Sequence, residues 1–400
     1  MSAPRVDVVV VGAGPAGAAT AILLAEHGLH VILLDRGSLP RPKICGEYLS
    51  PEAPRLLDRL GALKAIDAVA SPLAGMRITA PDGRQLEGRY HTIGPWRPYR
   101  EHAMALSREV LDTILVDRVR ALPVELSEGV RITDVLVSGD RMLGVEAVAA
   151  DGRHLTLRAP LTIAADGRAS IVAQRLGLRR PHRLRRMALV TYIEDVPDLG
   201  HFGEIFVDPP DYAILNPIAP GRANLSIVVP LAHAAPWSGR LESFFDARAK
   251  HLSHLARRIA GGRRVAAVRA MGPLAYRVDP PRTGGVLMVG DATGFYDPFS
   301  GEGIFNGLRS AELAAETAVR ALRGGDLSAA ALAGYDRARR LASRDKERVT
   351  HALQFLISHR RLANLTARLL ARRQSLLDLL LGVLGDFVPP RALVSAVLAR

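Results

Sequence analysis

A valine-rich run from Val6 to Val11 stops at Gly12-Ala13-Gly14-Pro15-Ala16-Gly17 and gives way to an Ala/Leu-rich stretch reaching Glu26. This order predicts a strand, a tight turn and a helix. Gly12 permits the turn, Gly14 lets backbone approach a pyrophosphate, and Gly17 allows the helix to pack closely, so that phosphates rest on the positive helix N-terminus. A second apolar run, His30 to Leu34, ends in Asp35-Arg36 and puts an acid where ribose hydroxyls are bound. Glycine-rich turns are common, but here the strand before, the helix after and the acid at the end of the second strand agree. The chain is expected to bind a dinucleotide through Gly12, Gly14, Pro15, Ala16, Gly17, Asp35 and Arg36.

The 400 residues suggest two or three domains, and 48% hydrophobic against 23% charged residues places the chain in the globular class. Cys45 is the only cysteine, so no internal disulfide can form. The opening MSAPRVDVVV lacks the pattern of a secretory leader, and a reducing cytoplasm is the expected address. The stretch SLLDLLLGVLGDFV is too short for a spanning helix and contains Asp378 and Asp386. The formal charge of +13 would favour acidic partners, yet the Arg residues are spread along the chain without interleaved aromatics, which points away from nucleic acid. No His/Cys/Asp/Glu grouping has metal-ligand spacing, and G-x-S-x-G is absent, so neither a metalloenzyme nor a serine hydrolase is supported.

NAD and FAD enzymes share the opening fingerprint, and two later segments decide between them. Leu161 to Ala165 reads as a strand leading into Asp166-Gly167, and Val286 to Val289 as one leading into Gly290-Asp291. Each Asp-Gly pair alone is an ordinary turn signal; three glycine motifs in this order are not. The chain resembles the geranylgeranyl reductase and class A flavin monooxygenase superfamily, whose members carry these motifs in this order, over roughly residues 5 to 325. The resemblance implies FAD as cofactor, with Asp291 at its ribityl chain, Arg108 nearby, and Asp166-Gly167 lining the cofactor and reductant channel. A helix from Asn306 to about Leu322 follows the loop Pro298-Phe299-Ser300-Gly301-Glu302-Gly303-Ile304, and its N-terminus would stabilise negative charge on a reduced flavin ring.

The segment Pro42 to Pro51, with Lys43, Cys45 and Gly46, resembles the K-x-C-G-x-x-L-S-P loop of the reductase branch, as does PFSGEGI. It implies that Cys45, Pro298 and Gly301 lie close to the flavin, with Lys43, Gly46, Gly290, Gly303 and Ile304 among the cofactor contacts. Cys45 also reads as a buried thiol without chemistry, and no catalytic residue is named. The reductase pattern Y-x-W-x-F-P is broken at Tyr212-Ala213-Ile214-Leu215-Asn216-Pro217, read as Leu and Asn in place of two aromatics. Apolar and polar residues alternate in Met76 to Tyr90 and Tyr192 to Val229, predicting an antiparallel roof over the flavin, while Gly139-Asp140 and Asp151-Gly152 punctuate a meander.

The expected fold is α/β: a Rossmann-type, glutathione-reductase-like FAD domain (1–75, 104–175 and 276–325) interleaved with an antiparallel β-sheet substrate domain (76–103 and 176–275), then a C-terminal helical region (326–400). In that last region, from Leu341 onward, ten Lys/Arg stand against four Asp/Glu. Leu362, Leu365 and Leu369 mark one helix face beside Arg361, Arg368 and Arg372, which suits either a cap or dimer contact or a membrane-surface helix. The Arg-rich stretch 178–186 reads as solvated surface, or as an attractor of a nicotinamide reductant's phosphates, and receives no role.

Oxygen transfer from O2, with NAD(P)H as reductant, to a hydrophobic or aromatic substrate of secondary-metabolite type is the leading expectation. Reduction of a C=C bond in an isoprenoid or lipid-like substrate is the alternative. A non-catalytic flavin-binding redox regulator is a third reading. Oligomeric state is not legible.

Overall fold

The computed structural model describes residues 6–398, so the leader reading of residues 1–5 and the last two residues of the C-terminal region lie outside the described residues. Val8–Val11 is the middle of a five-stranded parallel sheet, flanked by Val31–Leu34 and Leu161–Ala164, with Val124–Ser127 and Val286–Met288 at the edges. Both faces of this sheet are covered at its centre, which is why Val8–Val11 and Val31–Leu34 are unbroken apolar runs, whereas the edge strand Val124–Ser127 carries Glu125 and Ser127. The first strand starts at Val8 because the Asp7 carboxylate turns aside to accept the His30 N–H at 2.9 Å.

Helix Pro15–Glu26 packs on helix Gly303–Gly324 at very short range. A Cβ on Gly290 would stand 2.9 Å from the Ala16 Cβ, so small residues let the two cofactor motifs meet. The anticipated meander forms from Arg131–Ser138, Arg141–Val148 and His154–Arg158.

The roof is a larger sheet ordered Arg263–Arg264, Arg186–Glu194, Arg222–Pro230, Asp211–Ala219, Phe202–Asp208, Gly75–Thr79 and Gln85–Arg89. One pairing departs from the antiparallel expectation: Phe202–Asp208 runs parallel to Gly75–Thr79. These two strands come from segments separated by much of the cofactor domain, so no hairpin turn dictates their sense. One face of the roof buries Phe244 and Phe245 of helix Leu241–His251. The other face is covered by the C-terminal helices Ala329–Ile357, Arg360–Arg372 and Gln374–Leu384. Covering on both sides makes Asp211–Ala219 buried along nearly its whole length. Helix Pro390–Leu398 closes the described chain, and no described helix is long and apolar enough to cross a membrane.

Candidate active site

Gly12 has φ +101°, and a Cβ there would lie 2.5 Å from the Ala165 carbonyl oxygen; one on Gly17 would lie 1.7 Å from the Gly12 oxygen. Only glycine permits this crossing of turn, helix and third strand. Gly14 is the N-cap of the helix, with Pro15 and Ala16 in its first turn, and offers no side-chain cap to its free N–H groups. Asp35 is buried, accepting the Ala13 and Gly37 N–H groups, each at 2.9 Å, and an Arg41 Nη2 at 2.7 Å. Its oxygens therefore brace the glycine turn, and a ribose contact at Asp35 requires Arg41 to give way. Arg36, beside it, is exposed.

The segment Lys43 to Glu47 lies across the junction of the two sheets. Burial, reinforced by Arg41, pulls Lys43 down to about 8. Arg108 grips Asp112 through two parallel bonds of 2.9 Å. Burial pushes the Cys45 thiol up, which keeps it a thiol at neutral pH, and its Sγ accepts the Glu47 N–H at 3.3 Å. The roof holds this loop by its backbone: Asn216 Nδ2 donates to the Gly46 carbonyl at 2.8 Å and Asn224 Nδ2 to the Cys45 carbonyl at 2.9 Å. Glu47 adopts φ +57°, a costly conformation for a residue with a Cβ. Its carboxylate accepts the Tyr192 hydroxyl at 2.7 Å, the Arg108 N–H at 2.8 Å and Asn224 Nδ2 at 3.1 Å.

Sequence reasoning passed over Glu47, Tyr192, Asn216 and Asn224. Tyr192, Asn224 and Asn216 occupy one cross-strand row, and two asparagines inside apolar strands were the available signal. Strand alternation also corrects the motif comparison. Leu215 faces away from the flavin side, into the opposite core, so Ile214 and Asn216 hold the two aromatic places.

Asp166 accepts the Ile171 N–H at 2.7 Å with Oδ2, while its Oδ1 is buried without a partner among the described residues; next to it Gly167 leaves open space. Burial pushes Asp291 up against the opposing fields of Arg108, Arg168 and Lys43, so the structure brings the late GD motif together with the Lys43 and Arg108 segments. The Gly290 N–H is held by Ser310 Oγ at 2.9 Å.

Asp297 anchors the loop Pro298–Ser300 by accepting the Phe299 N–H at 3.0 Å, together with Tyr212 and Gln354. Gly301 follows at φ +70°, where a Cβ would lie 2.6 Å from Tyr48 Cδ1. The helix begins at Gly303-Ile304, three residues before the anticipated Asn306, with Glu302 as N-cap and no side-chain cap.

Beyond this loop lies an apolar chamber with about 100 Å³ free between the roof and the C-terminal helices. Pro298, Gly301 and Gly46 form its flavin-loop end, Met76, Ile205 and Ile214 its roof, and Leu353, Ala367 and Leu370 its helical wall. Among the described residues that line it, Tyr48 and Tyr90 alone are titratable, their hydroxyls 2.7 Å apart. On the far side of the loop is a wider polar cleft of about 970 Å³ that includes Asp291 and Tyr276. No group of described residues could hold a metal ion.

The sequence model described as FAD binding domain matches residues 5–350. The chain belongs to this family of FAD-binding flavoproteins. The flavoprotein is 30% identical over 339 residues to digeranylgeranylglycerophospholipid reductase 2 of Methanopyrus kandleri, covering 82% of this chain and 81% of that one. Its fold matches a flavin-dependent brominase with TM-score 0.84 at 20% identity, covering 98% of each chain. It also matches a geranylgeranyl bacteriochlorophyll reductase-like protein of Thermoplasma acidophilum with TM-score 0.77 at 21% identity, covering 98% of this chain and 96% of the other. The α/β expectation and the superfamily resemblance both hold, and the flavoprotein is an FAD-dependent oxidoreductase.

The residues present fit FAD. An added Cβ on Gly14 or Gly46 would meet nothing within 4 Å, which leaves the space a pyrophosphate and a ring system need. The uncapped N-termini of helices Pro15–Glu26 and Gly303–Gly324 supply N–H donors to anionic groups.

Proposed function

We propose that the flavoprotein reduces a carbon–carbon double bond of a long, largely aliphatic substrate. The observation that carries this is the chamber's chemistry: aliphatic walls, with a tyrosine pair as the only titratable groups among the described lining residues. A chamber without Lys, His, Asp or Glu among its lining residues offers no strong base to activate a phenol, whereas alkene reduction needs only a hydride and a proton. Bound FAD, once reduced, supplies the hydride. Burial raises both tyrosines, which keeps them as hydroxyls. Tyr48, packed on Gly301, delivers its proton to the second alkene carbon, Tyr90 passes its own across their shared hydrogen bond, and a proton from solvent restores Tyr90. The methanogen relative, a reductase of a digeranylgeranyl lipid by name, supports an isoprenoid substrate, and NAD(P)H is the proposed reductant.

Oxygen transfer is the second reading, favoured by Ile214 and Asn216, which open the chamber where the reductase pattern has two aromatics. Anaerobic mixing of the photoreduced protein with prenyl lipids decides between them. Flavin reoxidation with stoichiometric loss of one alkene supports reduction, and Tyr48→Phe then lowers that rate 10²-fold or more. Reoxidation that requires O2 and gives oxygenated product overturns it. Absence of turnover with either class would favour the redox regulator.

A further inference from the structure

Helix Arg360–Arg372 carries apolar side chains on both its inner and its outer face. Its inner stripe is Ala363, Ala367 and Leu370, all buried and lining the chamber. Its outer stripe, at helical spacing, is Arg361, Leu365, Arg368, Leu369 and Arg372, and on it Leu365 is 63% and Leu369 44% exposed. Two leucines thus stand among the arginines of the outer face, where burial within this chain gives no reason for them. The last turn of the preceding helix carries Phe355, 61% exposed, its ring tilted against that of His359 with centroids 4.8 Å apart. Leu341, Val394 and Val397 are also exposed, so six of the ten large exposed apolar side chains among the described residues belong to the C-terminal helices. Helix Arg360–Arg372 carries four arginines and no acid. Arg368 reaches Asp82 at 3.5 Å and Arg360 pairs with Asp208, while Arg361 and Arg372 have no ion-pair partner among the described residues.

We propose that the Leu365/Leu369 face docks on an anionic phospholipid surface. Exposed leucines between unpaired arginines on one stripe match the two layers of such a surface, acyl chains beneath phosphates. A protein partner would need a shaped complement, whereas a bilayer needs only this layering. The chamber lies one helix away from the docking plane, so an apolar substrate could pass from the bilayer to the flavin loop without crossing water. The docking claim stands without the alkene-reduction reading, because it concerns the outer face alone.

The test is flotation of the full chain, loaded with FAD, on vesicles of phosphatidylglycerol or of phosphatidylcholine. The expected result is binding to phosphatidylglycerol that weakens with salt, falls at least tenfold in Leu365→Asp/Leu369→Asp, and falls roughly fivefold for each of Arg361→Glu and Arg372→Glu. Unchanged flavin absorbance and gel-filtration volume show that each variant is folded; these side chains point away from the core. Absence of vesicle binding by the FAD-loaded protein overturns the proposal, as does binding that the leucine pair does not affect. A dimer that Leu365→Asp dissociates also overturns it and assigns the face to a second copy of the chain.

Discussion

Lys43 stands among Arg41, Arg108, Asp35 and Asp112, and burial with the Arg41 field pulls it down to about 8. In the folded protein its ammonium is therefore present below pH about 8 and lost above it, while the unfolded chain keeps the proton to about 10.4. Between these values the unfolded state holds more protons, so this group's contribution to stability rises with pH. Its pull on an anion changes in the opposite direction. FAD affinity is expected to fall roughly tenfold from pH 7 to pH 9, the worth of one charge-assisted hydrogen bond. Lys43→Met should bind FAD more weakly at pH 7 and with a flatter pH profile, measured by fluorescence titration of the apoprotein; an unchanged slope would separate Lys43 from the cofactor. Glu47 is different, because no local pattern announces a buried carboxylate held at positive φ. Its role comes from Tyr192 and Asn224, well over a hundred residues away, which is why the sequence showed Cys45 and Gly46 but not the group beside them.

At the scale of elements, the cofactor strands and the first helix were legible because each carries its own instruction: an apolar run for a doubly covered strand, glycine for a crossing, an acid at a strand end. The roof was legible as strands, since turns bound them, but not in full as a sheet. Its parallel pairing joins distant segments, and the inward choice of Ile214 over Leu215 depends on which face of the sheet the C-terminal helices cover. The flavin loop combines both kinds of information. Gly301 at φ +70° is a local requirement, whereas the 2.6 Å that a Cβ would leave to Tyr48 is a tertiary one. Gly301→Ala is expected to cost about 1–3 kcal/mol of stability, read by urea unfolding, and to displace Tyr48 from the flavin loop with a larger loss of turnover. Gly303→Ala is the control, since a Cβ there would meet only Phe295 at 3.9 Å. Equal behaviour of the two variants would show that crowding against Tyr48 does not shape the loop.

For the whole molecule, the question is what keeps the C-terminal helices on the cofactor domain, because they complete the chamber. Apolar side chains of these helices pack under the roof, and one charge cluster joins three segments. Lys346, on the long helix Ala329–Ile357, donates to the Leu384 carbonyl at 3.0 Å, pairs with Asp386, and lies 3.6 Å from Glu302 beside the flavin loop. Burial pushes Asp386 up, to about 6, with the Glu302 charge adding to it. Its folded value exceeds the unfolded one, so between pH about 4 and 6 the folded state binds more protons and this group's contribution to stability falls as pH rises. Lys346→Met removes the counterion of two buried carboxylates and is expected to cost about 3–5 kcal/mol at pH 7.5. At pH 5 Asp386 takes up its proton, which is easier still without Lys346, and the cost should shrink. Urea unfolding of both proteins at the two pH values measures this, and limited proteolysis between residues 326 and 360 reports whether the helices detach first. A cost independent of pH would mean that the lysine stem's packing, and not its charge, fastens the C-terminal helices to the flavin loop.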